Sequence, residues 1–240
     1  MPGTFDGGLA SISRVKVVTW NIELGMNLDV AVGEMQRHAD LQDADVVLAQ
    51  ELSPTQADDL AELLGLQVVY GSAAIHCDTH EPFGNAIMSR YPMDEPVHLS
   101  LPYKALINGL FRSALVTTVH SDEGPVVVGT IHAETVLLDL HRRRQQVRVL
   151  AERLAATKGP CIVGGDFNTA SSRSQRAVVR EMSVAGMKRL VPTNQPTFRR
   201  FGRPFRLDHI FGRDVQLIDG GAVEGTPVSD HDPVWAEVRL

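Results

Sequence analysis

Four short clusters of acids, amides and histidine flank apolar runs along this chain of 240 residues. Asp166 and Asn168 stand directly behind the run Cys161-Ile162-Val163 and two glycines, which let a backbone or a ligand approach closely. Because the other clusters also flank predicted strands, we expect all four to form one assembled site. The other three are Trp20-Asn21-Ile22-Glu23, Gln50-Glu51 and Ser229-Asp230-His231-Asp232.

The acids in these clusters are of the kind that holds a hard cation. Mg²⁺ takes one or two carboxylates, several waters and substrate phosphate oxygens, whereas Zn²⁺ prefers His or Cys ligands. Glu51 ends an apolar run, and Glu23, Asp166 and Asp230 are the candidates for a second acid. Each acid taken alone is more often an ordinary solvated carboxylate, so the magnesium site requires at least two of them to meet.

Two histidines are candidates for contact with a phosphate. His231 suits a general base or a phosphate-stabilising imidazolium, although a simple turn would also account for its cluster. Asp208 is the plausible partner of His231, because it lies among apolar neighbours, where a buried acid needs a bonding partner. His132 follows the predicted strand 126–131 and is placed to donate to a phosphate oxygen, or else it is an unspecific histidine.

The basic residues allow several interpretations. Arg112 suits either an exposed position or a clamp on a phosphate. The arginines of 142–148 are interpreted as a solvated helix face, and those of 199–206 as a stretch that borders the cleft. Residues 76–80 carry histidine, cysteine and aspartate, but their spacing matches no closed zinc site, so they are interpreted as a loop.

Composition narrows the class of protein. The net charge of −6 and a pI near 5.8 argue against coating nucleic acid through bulk charge, although a local basic patch stays compatible. No apolar run approaches the ~18 to 20 residues of a membrane span, and the N-terminus lacks the pattern of a signal peptide. Two cysteines make no disulfide framework, and Cys161 is predicted to be a buried thiol. We expect a cytoplasmic monomer.

Short β-branched runs alternate with helical patterns along the whole chain, which predicts one α/β domain over 14–240 behind a flexible tail at 1–13. The runs 114–120 and 126–131 are predicted to form a hairpin. The predicted strands are 15–20, 45–50, 67–70, 85–89, 114–120, 126–131, 161–165, 207–211 and 234–238. The predicted helices are 28–39, one that starts at 53 and stops at 65, 139–158 and 174–184.

Taken in order, these clusters resemble the endonuclease/exonuclease/phosphatase superfamily, which includes deoxyribonucleases, abasic-site endonucleases, neutral sphingomyelinases and inositol-phosphate 5-phosphatases. The resemblance runs from Trp20 to Val238. It implies an α/β (α+β) fold, a four-layered α/β/β/α sandwich of two mixed sheets flanked by helices, with a cleft at one sheet edge. The motifs that carry it are Trp20-Asn21, Gln50-Glu51, Gly84 to Arg90, Gly165-Asp166-Phe167-Asn168, Leu207 to Phe211 and Ser229-Asp230-His231.

The resemblance also implies which residues hold the metal and the phosphate. Glu51 is similar to the principal Mg²⁺ ligand, with Asn21 as its neighbour and Asp230 as an acid near the metal; Mn²⁺ is the expected substitute. Arg112 matches a less uniform arginine position that binds phosphate. Asn85, in the motif Gly84 to Arg90, is predicted to bind phosphate as well.

The catalytic roles follow from the same resemblance. Asp166 is similar to the group that orients or deprotonates the attacking water, and Asn168 to an amide that orients the phosphate. His231 resembles the histidine that Asp208 poises, and His132 resembles a second histidine that contacts the phosphate. The chain departs from many members at His209, where they have Tyr.

These residues predict hydrolysis of a phosphodiester, or a phosphomonoester, by in-line attack of an activated water. The basic runs favour a nucleic-acid substrate, whereas the net charge opposes it. The apolar segment 99–107 is either a lip that reaches a lipid substrate or a buried connector, of which the connector is favoured. The phosphoester partner is therefore left open among nucleic acid, phospholipid and small phosphoester. Two further alternatives are a non-catalytic scaffold of the same fold and a metal-free phosphatase with Asp166 as nucleophile. The latter lacks the usual Asp-x-Asp arrangement and predicts activity in chelator.

Overall fold

Two six-stranded sheets and a separate hairpin account for the strands of the computed structural model, which describes residues 14–77, 80–105, 109–134, 139–192 and 194–240. The tail predicted over 1–13 lies outside these residues. The strands are β1 (Val15–Asn21), β2 (Val46–Leu52), β3 (Gln67–Ile75), β4 (Pro82–Ser89), β5 (Val97–Ser100), β6 (Ser113–Ser121), β7 (Gly124–His132), β8 (Cys161–Asp166), β9 (Lys188–Arg189), β10 (Phe198–Arg200), β11 (Arg203–Phe205), β12 (Asp208–Arg213), β13 (Gln216–Ala222) and β14 (Val234–Arg239).

Both sheets are mixed, and each contains one parallel pair. The first sheet has the order β13-β14-β1-β2-β4-β3, in which β1 and β2 are parallel. The second has the order β5-β6-β7-β8-β12-β9, in which β7 and β8 are parallel. The predicted hairpin is confirmed, since β6 and β7 pair antiparallel around Ser121 and Gly124. Strands β10 and β11 pair with each other outside both sheets, and Phe198 of β10 also forms an isolated bridge with His231.

The four predicted helices are present, with ends that differ from the predicted ones by up to three residues. Helix α2 (Pro54–Leu64) starts with a capping box, in which the Ser53 side chain accepts from Gln56 N and the Gln56 side chain accepts from Ser53 N. It ends at Gly65, whose left-handed backbone, with a φ of 67°, suits glycine at a helix C-terminus. The others are α1 (Leu28–Arg37), α3 (Leu140–Ala155) and α4 (Ser172–Ser183).

Three apolar clusters hold the helices and sheets together as four layers. The central cluster, with Leu48 and Ile162 fully buried, lies between the facing sheets. An outer cluster that includes Trp20 and Leu60 packs α1 and α2 on the first sheet, and another that includes Leu150 packs α3 and α4 on the second. Each such buried side chain stabilises the fold by about 1.5–3 kcal/mol. The predicted α/β/β/α sandwich is confirmed.

The structure also decides some predictions about individual segments. The apolar segment 99–107 is a connector in its described part, because Leu101 and Ala105 are buried after β5; residues 106 and 107 lie outside the described residues. Cys161 is a buried thiol, and burial raises its pKa to about 12. Within the described ranges, no helix has the length and hydropathy needed to span a membrane.

Candidate active site

The carboxyl ends of the two parallel strand pairs meet at one edge of the sandwich. In the first sheet, Asn21 ends β1 and Glu51 lies near the end of β2. In the second sheet, His132 ends β7 directly opposite Asp166 at the end of β8. Asp208 begins β12 opposite Asp166 on its other side. Each of these polar side chains therefore stands at or near the end of a strand. Ligands of open α/β sheets bind at such strand ends.

A cavity of about 340 Å³ opens at this edge. Its walls combine predicted site residues with an apolar side formed by Phe198, Phe205 and Leu207. Asp208 lies behind the wall rather than in it. The predicted residues that line the cavity are Asn21, Glu51, Arg112, His132, Asp166, Asn168, Asp230 and His231.

Asp166 is a buried carboxylate that accepts hydrogen bonds on both of its oxygens. Its side chain is 1% exposed and accepts from Asn168 N at 2.8 Å, Asn168 Nδ2 at 3.0 Å and Asn21 Nδ2 at 3.4 Å. Burial raises the pKa of Asp166 to about 7, against the lowering effect of His231, with a further rise from Asp208. A carboxyl group with a pKa near neutrality is suited to exchange a proton during catalysis.

His231 is fixed by the acid that the sequence predicts as its partner. Its Nδ1 donates to Asp208 Oδ2 at 2.9 Å, and its Nε2 lies 3.8 Å from Asp166 Oδ2. Burial alone would lower the pKa of His231, but Asp208 and Asp166 outweigh it and raise that pKa to about 10. The imidazole is therefore protonated at neutral pH, with its Nδ1 committed to Asp208 and its Nε2 on the side of Asp166.

His132 has the opposite electrostatic character. Its Nε2 lies 3.6 Å from Glu51 Oε1 and 3.6 Å from Asp166 Oδ2. Burial lowers the pKa of His132 well below its usual value, and the charges of Arg112 and His231 add to that effect. His132 is therefore a neutral imidazole that can donate one hydrogen bond without carrying charge.

Backbone strain aims several polar side chains into the cavity. Glu51 has a left-handed backbone with a φ of 65° and sits where the pairing of β2 with β4 shifts register, at an irregularity typical of a β-bulge. Asn168 and Glu23 have left-handed φ values of 51° and 40°. Such conformations cost about 1–3 kcal/mol each and cluster at functional sites, where the surrounding structure enforces them.

Gly165 is required by the approach of two strands next to the site. It has a φ of 150°, and a Cβ at this position would lie 2.0 Å from Ile131 O in the parallel neighbour β7. Any side chain would push β8 away from β7 and separate Asp166 from His132, so the glycine before Asp166 maintains their distance.

The acids on the opposite wall are suited to a divalent cation. Burial raises the pKa of Glu23, and the nearby carboxylates of Asp230 and Glu51 raise it further. Three carboxylates in one small region repel one another, and a cation between them would relieve the repulsion. Glu51, Asp230 and the Asn21 side chain offer the oxygen ligands that Mg²⁺ prefers, so the residues present fit the metal that the resemblance implies.

A second group of ligand atoms has a different explanation. Oxygens of Asp166 and Asp208 and a nitrogen of His231 lie within 4.8 Å of one another. The Nδ1 of His231 already donates to Asp208, and a protonated imidazole cannot bind a metal. We therefore interpret this trio as a proton-transfer group rather than a metal site.

Some residues lie where the sequence did not predict them. Asn85 is outside the cavity lining, and its Nδ2 instead donates to Ser113 O and Oγ, which joins β4 to β6. Arg143 was placed on a solvated helix face, but it is 4% exposed. Burial lowers the pKa of Arg143, while the charges of Asp166 and Glu134 act in the opposite direction, so this side chain is buried near those carboxylates rather than solvated.

Arg112 and the hairpin β10–β11 complete the walls. Arg112 is 5% exposed; its Nε donates to Glu134 at 3.4 Å and its guanidinium lies 5.4 Å from the Phe83 ring. The Phe198 ring lies 4.8 Å from the ring of His231. The 199–206 stretch was predicted to border the cleft, and Arg200 does line the cavity. The contact of Phe198 with His231 was missed, because no sequence signal joins two such distant residues.

Other proteins share the sequence or the architecture of this chain. A UPF0294 protein of Yersinia enterocolitica is 32% identical over 131 residues, which are 54% of this chain and 49% of that protein, so the match spans about half the relative. A UPF0294 protein of Erwinia tasmaniensis is 28% identical over 230 residues, which are 94% of this chain and 81% of that protein.

Three solved structures show the same fold at low sequence identity. An endonuclease/exonuclease/phosphatase from Beutenbergia cavernae has a TM-score of 0.76 at 23% identity and covers 95% of this chain and 72% of its own. D. rerio TDP2 with a single-strand DNA product has a TM-score of 0.74 at 19% identity, covering 95% and 100%. Mannosyl-6-phosphatase of Bacteroides thetaiotaomicron has a TM-score of 0.73 at 20% identity, covering 94% and 100%.

The family model that matches this chain spans residues 18–231, which include the strand ends that build the cavity. Members of that family are hydrolases that act on phosphoesters. The chain belongs to the Endonuclease/Exonuclease/phosphatase family.

Proposed function

We propose that this chain hydrolyses a phosphodiester, or a phosphomonoester, by in-line attack of a water molecule that Asp166 activates. The observation that carries the proposal is the geometry around Asp166: its buried carboxylate lies 3.8 Å from the Nε2 of His231, whose Nδ1 is hydrogen-bonded to Asp208 at 2.9 Å. The raised pKa values of Asp166 and His231 agree with this arrangement. A base at the end of β8 and an acid in the loop before β14 suit hydrolysis at a phosphorus atom between them.

Asp166 acts as the base in this proposal. The amides of Asn168 and Asn21 fix its two oxygens, which leaves the carboxylate little rotational freedom. A water that donates to Asp166 would lose its proton to it as the bond to phosphorus forms. Proton transfer to a positioned group contributes about 10²–10⁴-fold in rate.

The two histidines stabilise charge on the phosphoryl group. Protonated His231 donates from Nε2 to an oxygen that gains negative charge, because its Nδ1 is already bonded to Asp208. Neutral His132 donates one hydrogen bond to a second phosphate oxygen. Arg112, a member of the cavity wall, adds a fixed positive charge to the same region.

Glu51, with Asp230 and Asn21, would hold the divalent ion, for which Mg²⁺ is proposed and Mn²⁺ is the expected substitute. The bound ion supplies Lewis-acid polarisation of a phosphoryl oxygen. Glu51 has a strained, left-handed backbone, and such strain is typical of residues that are held in position at a functional site.

Solved structures with the same fold are described with different phosphoesters. One solved neighbour is described with a single-strand DNA product and another as a mannosyl-6-phosphatase, so the fold alone does not choose between a diester and a monoester. The apolar side of the cavity, formed by Phe198, Phe205 and Leu207, is suited to an apolar or aromatic group bonded to the phosphate.

The test is a phosphoester panel. DNA, RNA, sphingomyelin, phosphoinositides and nucleotides are incubated with purified protein in Mg²⁺ and in EDTA. We expect release of product from at least one class with Mg²⁺ and loss of that turnover in EDTA, with rescue by Mg²⁺ or Mn²⁺. Equal turnover in chelator would contradict the metal assignment. No turnover on any class, combined with calorimetric binding of Mg²⁺, would favour the non-catalytic scaffold.

A further inference from the structure

A large cavity between described helices is lined by arginines and lies outside the candidate active site. It is a groove of about 880 Å³ between α3, α4 and β9, and among the described residues none of its lining side chains is acidic. We call it the arginine groove; its cations are Arg144, Arg173, Arg176, Arg180 and Arg189. Because the whole chain carries a net charge of −6, this concentration of positive charge is a local feature of the surface.

Three of these arginines are exposed and available to a ligand. The side chains of Arg173, Arg176 and Arg180 have no hydrogen bond or ion pair with any described residue. The three arginines are spaced three and four positions apart along α4. With a helix rise of about 1.5 Å per residue, they form a row about 10 Å long on one face. Arg144, in contrast, is bound to the buried Glu181 and helps to fix the wall.

The arginine groove adjoins the catalytic cavity through two residues of chain. Ala170 lines the catalytic cavity and Ser172 lines the groove. Two consecutive residues span at most about 7 Å, so these two lining residues of the cavity and the groove lie no farther apart than that. This separation is short enough for one polymeric anion to contact both sites.

The two sites differ in their charged side chains. The catalytic cavity is lined by four carboxylates, those of Glu23, Glu51, Asp166 and Asp230, together with Arg112, Arg200 and His231, whereas the charged side chains that line the groove are all arginines. A small phosphoester fits the cavity and gains nothing from the groove. A polymer with a phosphate in every repeat gains from each arginine in the row, because its phosphates extend beyond the scissile one.

We propose that the arginine groove binds the sugar–phosphate backbone of a single-stranded nucleic acid whose scissile phosphate lies in the catalytic cavity. The assignment of the cavity rests on the proposed function, whereas binding in the groove does not need catalysis. The concave shape of the groove admits a flexible strand and meets a flat bilayer only at its rim. That shape favours a nucleic-acid strand over an anionic lipid surface.

The test compares two variants with the same loss of positive charge. Arg173→Gln, Arg176→Gln and Arg180→Gln are combined in one protein, and Arg153→Gln, Lys158→Gln and Arg239→Gln are combined in a control. Binding of a fluorescein-labelled oligothymidylate is measured by anisotropy across a salt series in EDTA, so that no cleavage occurs. Circular dichroism and a thermal melt establish that both variants are folded.

We expect the groove variant to bind the oligonucleotide at least about tenfold more weakly at low salt. The slope of log K against log [salt] should be smaller in magnitude by about 2, because each phosphate contact with a single strand contributes ~0.7 to it. The control should bind like the wild type. Hydrolysis of bis(p-nitrophenyl) phosphate, which is too small to reach the groove, should be unchanged in both variants.

Two results would overturn the proposal. Equal oligonucleotide binding by the groove variant and the wild type would exclude the groove as a backbone site. Loss of binding to phosphatidylglycerol vesicles, with oligonucleotide binding retained, would assign the groove to a lipid surface. Failure of the proposed function would appear separately, as absence of diester hydrolysis in the wild type while oligonucleotide binding persists.

Discussion

His132 and His231 both lie beside Asp166, and their pKa values shift in opposite directions. Both are buried, and each has its Nε2 within 4 Å of the same Asp166 oxygen. Burial lowers the pKa of His132 well below its usual value, whereas the pKa of His231 is raised to about 10 although burial opposes that rise. The difference is Asp208, which accepts from His231 at 2.9 Å.

The comparison shows that proximity to one carboxylate does not decide the charge of a buried histidine. His132 faces Asp166 and Glu51 at 3.6 Å, and Arg112 is close enough to disfavour its protonation. His231 has two carboxylates, one of them hydrogen-bonded, which outweigh desolvation. One cavity thus obtains a neutral imidazole from the end of β7 and a cationic one from the loop before β14.

Replacement of the acid behind His231 should have the largest effect. Asp208→Asn keeps the shape of the side chain but removes the charge that raises the pKa of His231 and fixes its ring. We expect kcat/KM for bis(p-nitrophenyl) phosphate to fall about 10²–10⁴-fold. Asp45→Asn is the matched control, because Asp45 is also buried but bonds Lys16 N and Arg90 away from the cavity. Equal activity of the two variants would contradict the role of Asp208.

The second expectation concerns the dependence of stability on alkaline pH. Since the folded pKa of His231 is about 10, above its usual 6.5, its contribution to the free energy of unfolding is complete below pH 6.5 and is lost as the pH rises towards 10. In chelator, the stability difference between wild type and Asp208→Asn should be largest near pH 6.5 and shrink towards pH 10. Urea unfolding at several pH values measures it; a constant difference would contradict the raised pKa.

Replacement of His132 should have a smaller effect on stability, and this effect should appear at acid pH. Its folded pKa lies below 6.5, so the unfolded chain takes up a proton that the folded one does not, and stability is lost as the pH falls below 6.5. His132→Gln removes this loss. The stability of the wild type relative to the variant, followed by urea unfolding in chelator, should therefore decrease from pH 7 to pH 5. A difference that grows towards acid pH would mean that His132 is protonated in the fold.

The smallest effect is expected from the aromatic wall. Phe198→Leu removes a ring that lies 4.8 Å from His231, a contact worth about 0.5–1.5 kcal/mol, so kcat/KM should fall no more than about tenfold. Phe205→Leu is the control, since Phe205 lines the same cavity and its ring contact is with Phe198. A loss as large as that of Asp208→Asn would show that Phe198, rather than the acid, positions His231.

The fold was largely predictable from local patterns. Apolar β-branched runs predicted β1, β2 and β8, and the signals at Ser53, Pro54 and Gly65 predicted α2, because each element is specified by its own residues. Strands β5, β9, β10, β11 and β13 were missed. They are short or largely exposed, so they lack the apolar periodicity on which such a prediction depends.

The site was predictable in part. The pairing of His231 with Asp208 follows from the rule that a buried acid needs a partner, and the structure brings the two together. The burial of Arg143 and the row of Arg173, Arg176 and Arg180 beside the cavity were not predicted. Both depend on how α3 and α4 pack against the second sheet, and no residue spacing within one helix records which neighbour it meets.

The most direct test of the account measures hydrolysis of bis(p-nitrophenyl) phosphate by the wild type, Glu51→Gln and Asp166→Asn, each in EDTA and after addition of Mg²⁺. The account predicts that only the wild type is restored by Mg²⁺, because one variant lacks the proposed metal ligand and the other lacks the base. Undiminished, Mg²⁺-dependent turnover in both variants would contradict it.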